Sequence, residues 1–245
     1  MKRYRLIACN ILYRECCHCA ARSRNVVDIT WCEKGLHDIG AEKMSARLQT
    51  EIDAVDRERY DAVLLGYGLC NNGTIGLHAD IPIVMPRAHD CIALLMGSKE
   101  KYREYFDAHP GTYYKSCGWI EHDDSCVDNP DSTVSQLGFG TYRQYVEKYG
   151  EENAQYLMET LGSMQHYDRL AFIDTHVGDF QHYKDDVRRE AAEKGWKYDE
   201  IDGNTDLPMR MMNGEWNQDE FLVIEPGRVS SPSYDESVVT LKACM

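Results

Sequence analysis

The densest group of reactive side chains in this sequence lies in the short turn that follows Pro86. Arg87, His89, Asp90 and Cys91 occupy four of five consecutive positions there. Thiolates and imidazoles are ligands of zinc and other borderline-soft ions, and a guanidinium can hold a carboxylate or a phosphate. A plainer interpretation is also open, in which the aspartate caps a helix, the thiol is buried and the arginine pairs with an acid.

The segments around this turn predict the strands of an open α/β sheet. Residues 81–85 are apolar throughout and run into the turn, and residues 5–12, 26–31 and 60–67 are further strand segments. In such sheets, ligands bind outside the carboxyl ends of the parallel strands. We therefore expect the metal-capable side chains that follow these strands to meet at one edge. They are Cys9, His37, Cys70, His89 and Cys91.

A mixed set of thiolates and imidazoles indicates zinc as the first choice of metal and iron as the second. An iron–sulfur cluster on Cys9, Cys70 and Cys91 is a further possibility, although their separation departs from compact ferredoxin spacings. An open coordination position would make the ion catalytic. The alternative is that Cys9 and Cys70 are buried core thiols and that His37 begins a helix.

Other residues near the expected site could act on a ligand. Arg87 could hold an anionic group, Asp90 could orient an imidazole, and Tyr113 could line the ligand cleft, so these three are the candidate catalytic residues. The loop GYGLCNNG is rich in glycine, which allows a close approach of backbone to ligand, but it matches neither a dinucleotide-binding motif nor a P-loop. A helix-capping role competes for the aspartate that ends the strand 169–174. The candidate cofactor-binding residues are Gly66, Gly68, Asn72 and Asp174.

A second cysteine-rich stretch, Cys16-Cys17-His18-Cys19, follows the first strand. Cys16 and Cys19 have the CxxC separation, but no second CxxC pair follows to complete a tetrahedral site. The neighbouring residues are polar and charged, which indicates a surface loop or a helix start. We expect this stretch to be peripheral to the central site.

The composition narrows the classes of partner. The chain has 245 residues, a net charge of −14 and a pI near 5.0. This charge repels phosphate backbones and anionic lipid, so neither nucleic acid nor membrane is expected as a partner. No apolar run approaches the roughly 20 residues that span a bilayer, and the apolar part of the N-terminus is too short for a signal peptide. We expect a cytoplasmic protein, in which ten cysteines favour metal or thiol chemistry over disulfides.

The alternation of strand and helix segments predicts an α/β fold with two Rossmann-like lobes, whose mostly parallel sheets face a shared cleft. We expect an N-terminal lobe over 1–110 that carries the Cys/His site, a crossover segment over 111–165 and a C-terminal lobe over 166–245. The parallel strands are expected at 5–12, 60–67 and 81–86 in the first lobe, and at 169–174 and 221–225 in the second. Helices are expected over 41–55, 91–107, 141–164, 183–194 and 207–213.

Several segments together resemble a known family. GLHDIGAEKM, YDAVLLGYGLCNNG, IPIVMPRAHDCIALLMGS and PGTYYKSCGW occur in this order, and AFIDT, NGEW and FLVIEPG follow them. This set resembles the domain-of-unknown-function family numbered sixteen thirty-eight, over nearly the whole chain. The resemblance implies a place beside the corrinoid-dependent methyltransferases of anaerobes and methanogens, and so a role near one-carbon or methyl transfer. The Cys16-to-Cys19 stretch does not belong to the family pattern.

Two functions of different classes follow from these observations. The first is a metal-dependent enzyme of anaerobic one-carbon or methyl-transfer metabolism, in which the ion acts as a Lewis acid or activates a bound thiol or methylated substrate. The second is a non-catalytic protein that binds a small molecule, a corrinoid or a metal. The expected partners are a small-molecule substrate and a corrinoid protein or methyltransferase.

Overall fold

The structure is a computed structural model that describes residues 1–122, 167–233, 235 and 237–243. Its strands form a mainly parallel five-stranded sheet, a parallel three-stranded sheet and an antiparallel hairpin. The predicted α/β fold with mostly parallel sheets is therefore confirmed. The helix expected over 141–164 lies outside the described residues. No helix within the described ranges is both long and apolar enough to cross a bilayer.

The elements are numbered in chain order. The strands are β1 (Arg3–Cys9), β2 (Val26–Cys32), β3 (Ala62–Gly66), β4 (Ile83–Pro86), β5 (Thr112–Lys115), β6 (Arg169–Asp174), β7 (Lys197–Asp202), β8 (Phe221–Ile224), β9 (Arg228–Pro232) and β10 (Val239–Ala243). The α-helices are α1 (Tyr13–Arg22), α2 (Ala41–Asp53), α3 (Cys91–Met96), α4 (Lys99–Ala108), α5 (Cys117–Glu121), α6 (Gln181–Lys194) and α7 (Asp206–Asn213). Two 3₁₀ helices cover Asn10–Leu12 and Leu36–Ile39.

The five-stranded sheet has the order β2-β1-β3-β4-β8. Its first four strands are parallel, and every residue of β3 is buried, as in a strand covered on both faces. The fifth strand, β8, pairs antiparallel with β4. The expectation that residues 221–225 add a parallel strand to the second sheet was therefore wrong. A short apolar run predicts a buried strand but carries no information about its partner or direction.

The three-stranded sheet has the order β5-β6-β7 and is parallel throughout. Its first strand, β5, begins at Thr112, just inside the segment expected to cross between lobes. Tyr113 in this strand pairs with Leu170 of β6. The crossover segment therefore begins by supplying an edge strand of the second sheet.

The helix expected over 91–107 is divided into two. Gly97, with φ +79°, ends α3 in the left-handed conformation that favours glycine. The Ser98 hydroxyl then caps α4 by accepting a hydrogen bond from the Lys101 N–H at 2.9 Å. A glycine followed by a serine is a combined stop and start signal, and it overrides the continuous helical pattern on either side.

Cys16 and Cys19 lie on α1 and are only 1% and 0% exposed. The expectation of a surface position is therefore wrong for these two residues. Positions three apart share one helical face, and this face packs into the core, whereas Cys17 and Arg22 are partly or fully exposed. The polar neighbours belong to the other faces of the same helix.

The largest cluster of buried apolar residues includes members of both sheets. It contains the core of the first sheet together with Ala171, Ile173 and Ile201 of the second. A backbone hydrogen bond of 3.0 Å, from Asn204 N–H to the Leu95 carbonyl, joins the loop after β7 to α3. A smaller cluster fills the space around β6 and α6.

Candidate functional site

Cys9 and Cys32 end the neighbouring strands β1 and β2, where they are partners in the parallel register. Residues in register on adjacent parallel strands project to the same face of a sheet. Tyr67 stands one position beyond Gly66, which pairs with Ala8 in β1. Side chains from three adjacent strand ends therefore form a row across the carboxyl edge of the sheet.

Two further thiols lie in the segments that follow β3 and β4. Cys70 lies in the loop after β3, and its N–H donates to the His89 carbonyl at 2.8 Å, while Cys91 is the first residue of α3. Burial raises the pKa of the Cys91 thiol well above its usual value, and Asp90, Cys70 and Cys9 raise it further. Burial and then Asp90 raise the pKa of Cys70 to about 12, with a contribution from Cys9. We call Cys9, Cys32, Cys70 and Cys91 the thiol cluster.

Tyr67 is buried beside this cluster and is 3% exposed. Its hydroxyl has no oxygen or nitrogen partner within the described part of the chain. Burial raises its pKa well above the usual value, and the Cys9 and Cys32 thiols raise it further. Sequence reasoning overlooked Tyr67 and Cys32. Two signals were available in the sequence. Tyr67 ends an otherwise apolar strand segment, and Cys32 directly follows the strand segment 26–31.

The loop between β3 and β4 holds an unusual backbone conformation. Cys70, Asn71 and Asn72 are consecutive residues with φ of 45°, 54° and 66°. The left-handed conformation costs a residue such as Cys70 roughly 1–2 kcal/mol, whereas asparagine adopts it more readily. Backbone strain of this kind gathers at ligand sites. A Cβ on Gly68 would lie 2.7 Å from the Ala88 carbonyl oxygen. A glycine is therefore required for this loop to lie against the turn before α3.

Asp90 is the N-cap of α3. One carboxylate oxygen accepts hydrogen bonds from the backbone N–H of Ile92 at 2.9 Å and Ala93 at 3.4 Å, and the other accepts from the Tyr102 hydroxyl at 3.1 Å. Burial raises the pKa of Asp90 despite these bonds. The helix-capping interpretation is therefore correct, and a second role in orienting an imidazole stays a prediction.

The side chains of Arg87 and His89 contact different parts of the protein. The Arg87 guanidinium donates to backbone carbonyls of Gln218 at 2.8 Å, Ser237 at 3.0 Å and Val239. It thereby ties the turn to the residues before β8 and to the C-terminal hairpin, and its role in ligand binding stays a prediction. His89 lines a surface groove of about 660 Å³ along α4.

The remaining predicted ligand, His37, lies in the 3₁₀ helix Leu36–Ile39 after β2, and its side chain is outside the described part. Within the described residues, no three His, Cys, Asp or Glu side chains are arranged to hold a metal ion. The structure thus brings Cys9, Cys70 and Cys91 near one another, without placing them as a preformed metal site.

A cavity of about 150 Å³ lies beside Cys91. Tyr113 and Tyr114 of β5 line it together with Ile92 and Leu95 of α3. Tyr113 is therefore in the same cavity wall as one of the predicted metal ligands. Most of the surface that lines this cavity is apolar, although Thr112, Lys115 and Ser116 also line it.

The candidate cofactor-binding residues are dispersed. Gly66 and Gly68 flank Tyr67 at the end of β3, whereas Asn72 is exposed on the loop surface. Asp174 accepts a hydrogen bond from the His176 N–H at 2.8 Å and forms an ion pair with Lys184 at 2.7 Å. Although burial opposes it, these contacts lower the pKa of Asp174.

The family model described as "Protein of unknown function (DUF1638)" matches residues 31–212. The matched part contains Cys32, Tyr67, Cys70 and Cys91, whereas Cys9 precedes it. No curated protein and no solved structure matches the chain. Because the family model covers well over half of its length, the chain belongs to the DUF1638 family.

Proposed function

We propose that this protein is a metal-dependent enzyme whose ion is bound at the thiol cluster, by Cys9, Cys70 and Cys91. The observation that carries the proposal is the convergence of four cysteines from the ends of four neighbouring parallel strands. Ligands of open α/β sheets bind at this edge. Independent core cysteines would not need to follow each strand at the same end.

The Cys70 and Cys91 thiols of the cluster are protonated at neutral pH in the absence of metal. Burial, and then Asp90 and the neighbouring thiols, raise the pKa values of Cys70 and Cys91. A divalent ion would displace these protons, and its affinity would fall as the pH falls. Zinc is our first choice, because it accepts mixed sulfur and nitrogen ligands, and iron is the second.

Binding requires rearrangement of the side chains. As they stand, the acidic, cysteine and histidine side chains of the described ranges contain no ready set of three ligands. We propose that Cys9, Cys70 and Cys91 turn toward one ion and that His37 or His89 completes the set. The strained residues Cys70 to Asn72 are the segment that such a movement would relax.

The proposed chemistry is methyl or one-carbon transfer, a reaction class that the family resemblance implies. A thiolate-bound ion would act as a Lewis acid or activate a thiol or methylated substrate. The proposed partners are a small-molecule substrate and a corrinoid protein or methyltransferase. The net charge of −14 supports a partner other than nucleic acid.

Metal analysis of protein purified without oxygen tests the proposal. We expect about one zinc or iron ion per chain in the natural protein, and loss of this ion in a Cys70→Ser/Cys91→Ser variant. The matched control is Cys17→Ser, which changes a partly exposed cysteine on α1. Far-UV circular dichroism establishes that each variant is folded.

Two results would overturn the metal proposal. One is metal-free natural protein that takes up no zinc or iron at neutral pH. The other is a folded double variant that retains the ion. A Cys16→Ala/Cys17→Ala/Cys19→Ala variant, if folded, should keep its metal. Cys16 lies near enough to Cys9 to be influenced by its charge, but none of the three residues ends a strand or follows one of the four strand ends as a proposed ligand does.

A second candidate is a non-catalytic protein that binds a small molecule. The cavity beside Cys91 favours it, because that cavity is present without rearrangement. Ligand binding that is equally tight in metal-free protein, together with no metal uptake, would favour this alternative. Metal-dependent turnover would favour the enzyme.

A further inference from the structure

We infer that the cavity beside Cys91 is the substrate subsite of the thiol cluster, and that it takes a small, neutral, apolar molecule or group of about the size of benzene. This inference rests on the proposed function, since it names the substrate class of the same site. Its test, however, is made on metal-free protein, so the two can fail separately.

The size of the ligand follows from the volume. The cavity measures about 150 Å³, and an apolar cavity of about 150 Å³ in another protein binds benzene. A single ring fills this volume, and a larger molecule would have to extend out of the cavity or displace its walls. Those walls belong to packed elements, since Leu95 is 3% and Ile173 is 2% exposed.

The polarity of the ligand follows from the lining. Ile92 and Leu95 of α3, Ile173 of β6 and the rings of Tyr113, Tyr114, Tyr167 and Trp119 make most of the lining surface apolar. Thr112 and Ser116 add neutral polar groups, and the buried Tyr114 hydroxyl has no hydrogen-bond partner among the described residues. Burial of a charge in such surroundings is unfavourable without a charged partner. A neutral ligand is therefore expected.

Among the described residues of the lining, the cationic one is Lys115, and its charge is already paired. Its ammonium group forms an ion pair with Glu190 at 2.5 Å, and its side chain is 15% exposed. An anionic ligand would have to compete with this carboxylate. The lysine is therefore no evidence for an anionic substrate.

Cys91 connects the cavity to the thiol cluster. It lines the cavity and is also close enough to Cys70 and Cys9 for their charges to raise its pKa. A molecule in the cavity would consequently lie against Cys91, the residue that the cavity shares with the cluster. This position is suitable for a group that reacts at sulfur or at an ion bound to it.

Titration of metal-free protein with benzene, followed by calorimetry or by tryptophan fluorescence, tests the inference. We expect a dissociation constant on the order of 1 mM or tighter, consistent with the limits for ligands of this size. Benzylammonium, which adds a charge, should bind about tenfold more weakly or worse. The variant Ile92→Phe, which fills the cavity from a partly exposed helix position, should bind benzene about tenfold more weakly.

The control variant is Tyr105→Phe. Tyr105 packs against Tyr114 and donates its hydroxyl to Asp199 at 2.7 Å, but it does not line the cavity. It should bind benzene as the natural protein does. Equal affinity for benzene in the natural protein and in folded Ile92→Phe would overturn the inference, as would an absence of binding.

Alkylation provides the second measurement. Iodoacetamide is attacked by the thiolate, which forms a carbon–sulfur bond and releases iodide, while the thiol proton passes to solvent. Saturating benzene should slow alkylation of Cys91 about tenfold or more and leave Cys17 on α1 unchanged, as measured by peptide mass spectrometry. Binding of benzene without protection of Cys91 would show that the occupied site is elsewhere.

Discussion

At Tyr67, the requirements of stability and of the proposed function differ. A buried hydroxyl without a hydrogen-bond partner costs roughly 1–3 kcal/mol. Among the described residues, the Tyr67 hydroxyl has no oxygen or nitrogen partner, and only the Cys32 thiol, a weak partner, lies beside it. Its position beside Cys9 and Cys32 links this cost to the proposed site. Positions that contribute to function often carry such local costs.

We predict that Tyr67→Phe leaves the free energy of unfolding unchanged or raises it by about 1 kcal/mol, because no strong hydrogen bond is lost. Tyr60→Phe is the matched control. The Tyr60 hydroxyl bonds to Asp28 at 2.7 Å and to Arg5 at 2.6 Å, so its loss should lower the free energy by about 1–2 kcal/mol. Urea denaturation measures both. A larger destabilisation in Tyr67→Phe than in Tyr60→Phe would contradict the assignment.

Two glutamates should respond to pH with opposite signs. Burial raises the pKa of Glu15, which is 1% exposed, although Thr175 donates to it at 2.6 Å. The folded state therefore holds this proton more tightly than the unfolded state does. The resulting stabilisation is fully present when the pH is below the ordinary pKa of a glutamate, near 4.5, and it is lost as the pH rises through the raised pKa of the folded state.

We predict that Glu15→Gln raises the free energy of unfolding at pH 7 and that this gain shrinks as the pH falls toward 4.5. The control is Glu121→Gln. Hydrogen bonds from Arg14 lower the pKa of Glu121, so its contribution is present at neutral pH and is lost as the pH falls through the lowered pKa. Glu121→Gln should lower the stability at pH 7. Changes of the same sign in the free energy of unfolding of both variants at pH 7 would refute this interpretation.

Among the structural elements, the proposed site requires that the loop after β3 lie close to the turn before α3. The loop after β3 donates Leu69 N–H to the Ala88 carbonyl at 2.7 Å and Cys70 N–H to the His89 carbonyl at 2.8 Å. These bonds hold Cys70 next to the start of α3. Gly68 permits this distance, since its missing Cβ would touch the backbone of the turn.

We predict that Gly68→Ala lowers the free energy of unfolding by about 2 kcal/mol or more, because the added methyl forces two packed backbones apart. Gly195→Ala is the control. It also adds one methyl, at a φ of +67° with nothing within 4 Å, and should cost about 1 kcal/mol. If Gly68→Ala is folded, its metal content should fall as well. Equal stability losses in both variants would show that the close approach is not required.

For the whole molecule, the shared core suggests that the two sheets unfold together. The large cluster joins the first sheet to Ile173 and Ile201 of the second. The buried Glu15 side chain of α1 also accepts a hydrogen bond from Thr175, directly after β6. Contacts of this kind couple the stabilities of the elements that share them.

We predict a single unfolding transition with the same midpoint for both sheets. Trp216 reports on the large cluster and Trp196 on the smaller one. The chain has four tryptophans. Variants that keep only Trp196 or only Trp216, with the other three replaced by phenylalanine, should show coincident urea midpoints by fluorescence, and the same midpoint by circular dichroism. Two separated transitions would show that the sheets belong to independently stable domains.

The sequence alone determined most helices and strands, because apolar periodicity and end signals act over a few residues. It also placed Cys9, Cys70 and Cys91 at the carboxyl ends of strands, which follows from their position in the chain. The tertiary structure decided which strands are neighbours. In the folded chain β8 is antiparallel to β4, Cys16 and Cys19 are buried, and Cys32 and Tyr67 lie beside the predicted thiols. Such pairings depend on packing between distant segments, which local pattern does not encode.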